Sequence, residues 1–382
     1  MNDPRSVGRV LTVVGTRPEA IKMAPVLRAL ESRTPRLDSR LVLTGQHTEL
    51  VDEALSIFEL DPDWDLDIMR EGQGLAQVGS ECLEAVDRLL GEWRPDLLLV
   101  QGDTASVFFS ALAGYFHGIP TGHVEAGLRT GDLRRPFPEE GFRRLAGVLA
   151  DLHFAPTEAA RQNLLREGID PGRIEVTGNT VVDALLEIAE RREPVRCEAL
   201  RRLLAPGAPP FLLLTAHRRE SFGAPLERVF EAVEDIVASH DTVEILFPVH
   251  PNPNVAGPAE RRFPGHPRIH LSPPLRYPDL VAALAGAKGV LTDSGGIQEE
   301  APTFGTPVLV LREVSERPEG IEAGVARLVG TDADTVRAAA LDLLQRGDPE
   351  RERVRRDNPY GDGRAGERIA RRVEAFLAER DR

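Results

Sequence analysis

The 382 residues carry 47 basic and 61 acidic side chains, a formal net charge of −14, with 41% hydrophobic and 28% charged residues. Such a chain is long enough for two domains with a core each, too apolar to be disordered, and too acidic for nucleic acid or an anionic membrane to be its main partner. Apolar runs such as Leu97 to Val100 fall far short of the roughly 20 residues of a membrane span, the polar start has no signal-peptide core, and two cysteines, Cys82 and Cys197, make neither a disulfide framework nor a zinc site, so a cytoplasmic protein is expected.

In chain order, the pattern predicts strands at Val10–Val14, Arg40–Leu43, Pro95–Gln101, Pro120–His123 and Arg173–Val176. A stretch rich in Arg, Glu and Pro follows from about Glu187 to Pro210, the natural seam between two domains. Beyond it come Phe211–Thr215, Val243–Pro248, Ile269–Leu271, Gly289–Leu291, Val308–Leu311 and Ala326–Val329. Helical patterns lie between the strands, as at Leu226–Ser239, where Val229, Phe230, Val233, Ile236 and Val237 share one face. Strand and helix alternating in this way predict an α/β protein with parallel sheets covered on both sides. A last helix, Ala365–Arg382, places Ile369, Val373, Phe376 and Leu377 on one stripe that needs a surface to cover.

Open parallel sheets bind ligands at the carboxyl ends of their strands, so the loops there hold the candidate chemistry. After the first strand, Gly15-Thr16-Arg17-Pro18-Glu19-Ala20-Ile21-Lys22 has the Thr-x-x-Glu spacing of a capping box. It also gathers two cations at a helix start, an arrangement that favours an anion. All but two of the 47 basic residues are arginine, which makes Lys22 a candidate for a role that arginine cannot fill. Asp103, Glu125 and the pair Glu139-Glu140 follow or approach strand ends, with His123 beside them. A strand-end Asp can also be a helix cap, but carboxylates gathered at one rim shift one another's pKa values and can act as acid and base.

The second half supplies His217-Arg218-Arg219-Glu220 after one strand and His250-Pro251-Asn252 after the next, both suited to ligand contact. Asp293-Ser294-Gly295-Gly296 follows a third strand, where two glycines let backbone N–H groups approach a diphosphate and Ser294 can cap the next helix. Glu300 stands where a carboxylate could accept ribose hydroxyls, and Arg317 is either a surface residue or a phosphate contact. No Walker lysine, dinucleotide fingerprint or metal-ligand spacing is present. A diphosphate would therefore be neutralised by Arg, Lys, His and backbone donors.

Gly-Thr-Arg-Pro-Glu-Ala-Ile-Lys (15–22), His-Val-Glu-Ala-Gly-Leu-Arg-Thr-Gly (123–131), His-Arg-Arg-Glu (217–220), Thr-Asp-Ser-Gly-Gly-Ile-Gln-Glu-Glu-Ala-Pro (292–302) and Glu-Arg-Pro-Glu (316–319), in order and in register, resemble the non-hydrolysing UDP-N-acetylglucosamine 2-epimerases. The resemblance runs from Arg9 to about Gly363. It implies a GT-B arrangement of two Rossmann-like domains with the active site in their cleft. Residues 1–185, completed by the helix at 365–382, would be the first domain and 186–364 the second. It further implies conversion of UDP-N-acetylglucosamine to UDP-N-acetylmannosamine for cell-surface polysaccharide, by a homodimer, with no cofactor or metal and no nucleic-acid or membrane partner. By position, Asp103, Glu125 and Glu139 would be the catalytic carboxylates and His217 a catalytic histidine. Arg17, Lys22, Leu275, Leu280, Ser294, Gly295, Gly296, Glu300 and Arg317 would bind the substrate. Gln46, Arg218 and His250 match a second, activating site for UDP-N-acetylglucosamine. The chain departs from the pattern at Leu280, where some members have an aromatic residue, and in Glu71-Gly72-Gln73, which lacks an arginine that certain members carry.

The substrate dictates the chemistry implied. The C2 proton of the sugar has no neighbouring carbonyl, so UDP must leave C1 first. C2 then gives up its proton to a carboxylate, forming a 2-acetamidoglucal, and re-addition with protonation from the other face inverts C2. A GT-B glycosyltransferase, a nucleotide-sugar sensor and an epimerase or hydrolase of a differently decorated UDP-sugar are the rival readings. Three clustered carboxylates disfavour the first two.

Overall fold

The computed structural model describes residues 8–45, 49–70, 72–315 and 317–380. The chain divides into two compact units, one made of residues up to Ala184 together with those from Tyr360 on, the other of Leu185–Pro359.

The first unit is built on seven strands: β1 (Gly8–Val14), β2 (Leu37–Leu43), β3 (Trp64–Asp65), β4 (Leu97–Gln101), β5 (Thr121–Val124), β6 (Leu152–Ala155) and β7 (Ile174–Val176). All pair in parallel in the order β3-β2-β1-β4-β5-β6-β7. Its helices are α1 (Arg17–Glu31), α2 (Glu49–Phe58), α3 (Leu75–Glu92), α4 (Ala105–His117), α5 (Glu139–Leu149), α6 (Glu158–Arg166) and α7 (Thr180–Arg191), the last of which runs across the division. Leu97, Leu98, Leu99 and Val100 are wholly buried, as a central parallel strand with both faces covered requires. Leu11, Val13, Leu98 and Val100 pack with Val86, Leu89 and Leu90 of α3 and Val107 of α4.

The second unit repeats the plan with α8 (Glu198–Leu203), β8 (Phe211–Thr215), α9 (Ala224–Ser239), β9 (Glu244–Pro248), α10 (Pro253–Arg262), β10 (Ile269–Ser272), α11 (Tyr277–Gly286), β11 (Gly289–Thr292), α12 (Gly295–Glu300), β12 (Val308–Val310), α13 (Pro318–Glu322), β13 (Ala326–Leu328) and α14 (Ala333–Arg356). Its six parallel strands lie in the order β10-β9-β8-β11-β12-β13. Leu212, Leu214, Ile245 and Phe247 meet the apolar stripe of α9 expected from sequence. Phe230 sets its ring edge-on to Phe247 and Phe263, with centroids 5.8 and 5.1 Å apart.

The final helix, α15 (Ala365–Arg380), belongs to the first unit and lies against α1. Gly366 sits so close to α1 that a Cβ there would meet the Pro25 carbonyl oxygen at 2.7 Å. Asp183 accepts the Gly366 N–H at 2.8 Å, and burial lifts its carboxyl to about 6.

Two strands escape the sequence reading. β3 is only two residues long, and β6 places a histidine, His153, wholly inside the core. In both sheets the strand order reverses beside the first strand of the unit, between β1 and β4 and between β8 and β11. Those two reversals open the crevices in which α/β sheets take ligands. Among the described residues no helix is long and apolar enough to cross a membrane.

Candidate active site

The loops at the first reversal hold the N-terminal candidates. Thr16 occupies the N-cap of α1 but makes no side-chain cap bond. The capping box expected there does not form: Glu19 reaches one residue further back, and its Oε2 accepts the Gly15 N–H at 2.6 Å. Arg17 is half-buried at the head of α1. Lys22, one turn on, forms an ion pair with Glu125, and the Gln101 amide donates to the same carboxylate oxygen at 2.8 Å. Glu125 directly follows β5 and has a φ of +64°, a conformation that costs a non-glycine residue energy and marks sites where position outweighs comfort.

Asp103 follows β4. Helix capping falls to its neighbour Thr104, whose hydroxyl accepts the Val107 N–H at 3.4 Å, and Asp103 instead pairs with Arg143 of α5. Glu139 and Glu140, adjacent in sequence, separate sharply. Glu140 is fully buried and consumed by the Thr130 N–H at 3.1 Å, Arg143 at 3.3 Å and Arg144 at 3.1 Å. Glu139 is half-buried, and its Oε2 has no hydrogen-bond partner. His123 is buried beside Gly102, its Nε2 lying 2.7 Å from the carbonyl oxygen. Burial pulls its pKa down to about 4, so at neutral pH the ring is uncharged and Nε2–H donates. It anchors the loop that carries Asp103 and is not placed to exchange protons.

At the second reversal, Asp293 is the organising residue. Fully buried just beyond β11, it accepts the His217 N–H at 3.1 and 3.0 Å through its two oxygens and the Arg218 N–H at 2.9 Å. One carboxylate thus ties the loop after β8 to the loop after β11. His217 stacks on His250, with ring centroids 5.7 Å apart and planes inclined by 20°. Burial lowers the His217 pKa, while Asp293, 3.4 Å from its Nδ1, pulls the other way.

The guanidinium groups of Arg218 and Arg317 converge over the glycine loop: a methyl at Gly295 would lie 3.6 Å from Arg218 Nη2 and 3.8 Å from Arg317 Nη2. Arg317 is held by an ion pair to the buried Glu299. Ser294 stands at the N-cap of α12 without the cap bond expected of its side chain. Gly296 is exposed, and Glu300 is half-buried at the end of α12. Leu275 lines a cavity of about 920 Å³ beside α8, with Leu271, Pro273 and Arg202. Leu280, on α11, is half-buried and does not line it. Gln46 lies outside the described residues.

Each unit therefore gathers its own set, with paired carboxylates in the first and histidines, arginines and a glycine loop in the second. Sequence reasoning gave no role to Asp293, Gln101 or Arg143, and read Glu19 only as the capping-box partner of Thr16. A polar Gln closing an otherwise leucine-rich strand was a usable signal for Gln101, whereas nothing in the pattern singles out one arginine of α5. Among the described residues no group of three or more His, Cys, Asp or Glu side chains is placed to hold a metal ion.

Two Rossmann-like parallel sheets with charged loops at both order reversals define an α/β enzyme of GT-B-like fold. The family model for UDP-N-acetylglucosamine 2-epimerase matches residues 28–374. The UDP-N-acetylglucosamine 2-epimerase of Yersinia pestis is 48% identical over 96% of this chain and 98% of its own. That of Bacillus subtilis is 46% identical over 97% and 95%. The crystal structure of the Neisseria meningitidis UDP-GlcNAc 2-epimerase bound to UDP-GlcNAc superposes with a TM-score of 0.84 at 39% identity, covering 97% of this chain and all of that one. The chain belongs to the UDP-N-acetylglucosamine 2-epimerase family.

Proposed function

We propose that the chain converts UDP-N-acetylglucosamine to UDP-N-acetylmannosamine reversibly, as a cytoplasmic homodimer supplying activated sugar for cell-surface polysaccharide. The observation that carries this reading is the pair of carboxylates on neighbouring strand ends, Asp103 against Arg143 and Glu125 against Lys22, each with its own cation. Two separately fixed carboxylates suit a reaction that removes a proton from one face of a carbon and returns one to the other. Glu139, with an oxygen left unpartnered, is the third.

In the scheme, Arg17 and Lys22 are assigned to the diphosphate, as are Ser294, Gly295, Gly296 and Arg317, and Glu300 to the ribose. Leu275 and Leu280 border the base. The C1–O bond breaks, its electron pair leaves with UDP, and a carboxylate takes the C2 proton to give 2-acetamidoglucal. UDP oxygen then re-adds to C1 while a second acid protonates C2 from the opposite face. The basic loops stabilise the departing diphosphate. His217 shares this environment, and Arg218 and His250, with Gln46, are assigned to a second, activating molecule of UDP-N-acetylglucosamine.

Incubation with UDP-N-acetylglucosamine alone in D2O, followed by NMR, tests the reading. Deuterium at C2 of both UDP-sugars, with no absorbance change near 340 nm, is expected. Epimer that retains protium at C2 refutes the elimination scheme. Unchanged substrate without an added acceptor points to a glycosyltransferase, and free sugar plus UDP to a hydrolase.

A further inference from the structure

Glu19 lies beneath the loops that bear the carboxylates, with only 2% of its surface exposed. One oxygen accepts the Gly15 N–H, and the other has no hydrogen-bond partner. The hydroxyls of Thr16 and Thr104 lie beside it. Thr104 is the residue after Asp103 and caps α4, so one buried carboxyl faces both the loop after β1 and the loop after β4. These loops have no slack: a Cβ on Gly15 would meet Ser106 Cβ and Thr44 Oγ1 at 2.8 Å, and Ser106 belongs to the first turn of α4. Burial lifts the Glu19 carboxyl to about 7, opposed by the Gly15 N–H and the two hydroxyls, with Asp103 adding a smaller upward push. A side chain kept inside the fold at such a cost, where leucine would fill the space, has work to do there.

We infer that Glu19 is a positioning residue that locks the loop after β1 to the loop after β4 and so holds Asp103 in its reactive place. The inference rests on the catalytic reading of Asp103. Glu19 does not touch substrate; it acts through the Gly15 backbone and the Thr104 side of the Asp103 loop. An amide fits the same place, since its oxygen can take the Gly15 N–H and its NH2 can face the threonine hydroxyls.

The test measures kcat, KM and thermal melting for Glu19→Leu, Glu19→Gln, Asp103→Asn and the double variant Glu19→Leu/Asp103→Asn. Glu19→Leu should melt as a folded protein with kcat down by about 100-fold, the usual effect of ångström-scale misplacement, and KM little changed. Glu19→Gln should restore most of the turnover. In the Asp103→Asn background the leucine substitution should cost far less than it does alone. Should Glu19→Leu fail to fold, Glu19→Asp, one methylene too short, must show the same loss of kcat. Undiminished kcat in whichever of these folds, or a penalty of equal size with and without Asp103, overturns the proposal while leaving Asp103 its role. Undiminished turnover in Asp103→Asn overturns both.

Discussion

Asp293→Asn should loosen the second unit and the loops after β8 and β11 together. The carboxylate is fully buried and receives the His217 and Arg218 N–H groups at 2.9 to 3.1 Å. An asparagine turned to keep its oxygen toward both donors loses the other oxygen and points an NH2 at the His217 N–H. Hydrogen bonds to a charged acceptor contribute about 1.5–3 kcal/mol each, and a donor facing a donor is left unpaired, so the net cost should be about 2–4 kcal/mol. For a unit of this size each kcal/mol is about 2–4 °C, which puts the melting transition of the second unit roughly 4–16 °C lower. Calorimetric melting reads that shift, and titration with UDP should show weaker binding, because the loops bearing Arg218 and Gly295 are no longer tied. A transition within about 2 °C of wild type together with unchanged UDP affinity would refute the clamp.

Ser294→Ala, one residue away, should leave the same transition in place, since Ser294 makes no cap bond whose loss would cost about 1 kcal/mol; a clear drop in melting temperature would contradict this. Acid stability should reflect opposed groups, His123 and Glu19 among them. His123, held neutral down to about 4, withdraws about 2 kcal/mol as the pH falls from 7 to 5, because the unfolded ring protonates first near 6.5. Glu19, raised to about 7, returns about as much over the same interval, because its folded form takes up the proton first. Glu19→Gln should therefore lose stability about 2 kcal/mol more steeply than wild type between pH 7 and 5 in urea titrations, and parallel profiles would refute the assignment. Arg17→Ala should weaken UDP binding by about 1.5–3 kcal/mol in calorimetry. Lys22→Ala should also lower turnover, since it withdraws the cation from Glu125.

The fold was legible because fully buried parallel strands read as unbroken apolar runs, as in Leu97–Val100 or Phe211–Leu214. It was lost where that logic lapses, in the two residues of β3 and at the buried His153 of β6. The loops stood out as candidates for chemistry because charge clustered at strand ends has few structural uses. What they hold inside was not. The sequence places Glu139 and Glu140 side by side, and only packing shows that one is consumed by arginines and the other left with an open oxygen. Asp293 was likewise hidden, because its backbone-accepting role has no spacing pattern of its own, whereas the Thr-x-x-Glu spacing announced Glu19 as a backbone acceptor and missed only that it reaches back to Gly15.

The helix α15 gives the first unit an unusual timetable. Ile369, Ala370, Val373 and Leu377 are buried within a unit whose other residues end at Ala184, and the Asn179 N–H donates to the Tyr360 carbonyl at 2.7 Å. On the ribosome, the loops bearing Asp103 and Glu125 are synthesised early, yet α1, which carries Glu19 and Lys22, receives its covering helix only after all of the second unit has emerged. For that interval the underside of α1 stands open to water. Premature termination after the second unit would thus injure the half of the enzyme made first.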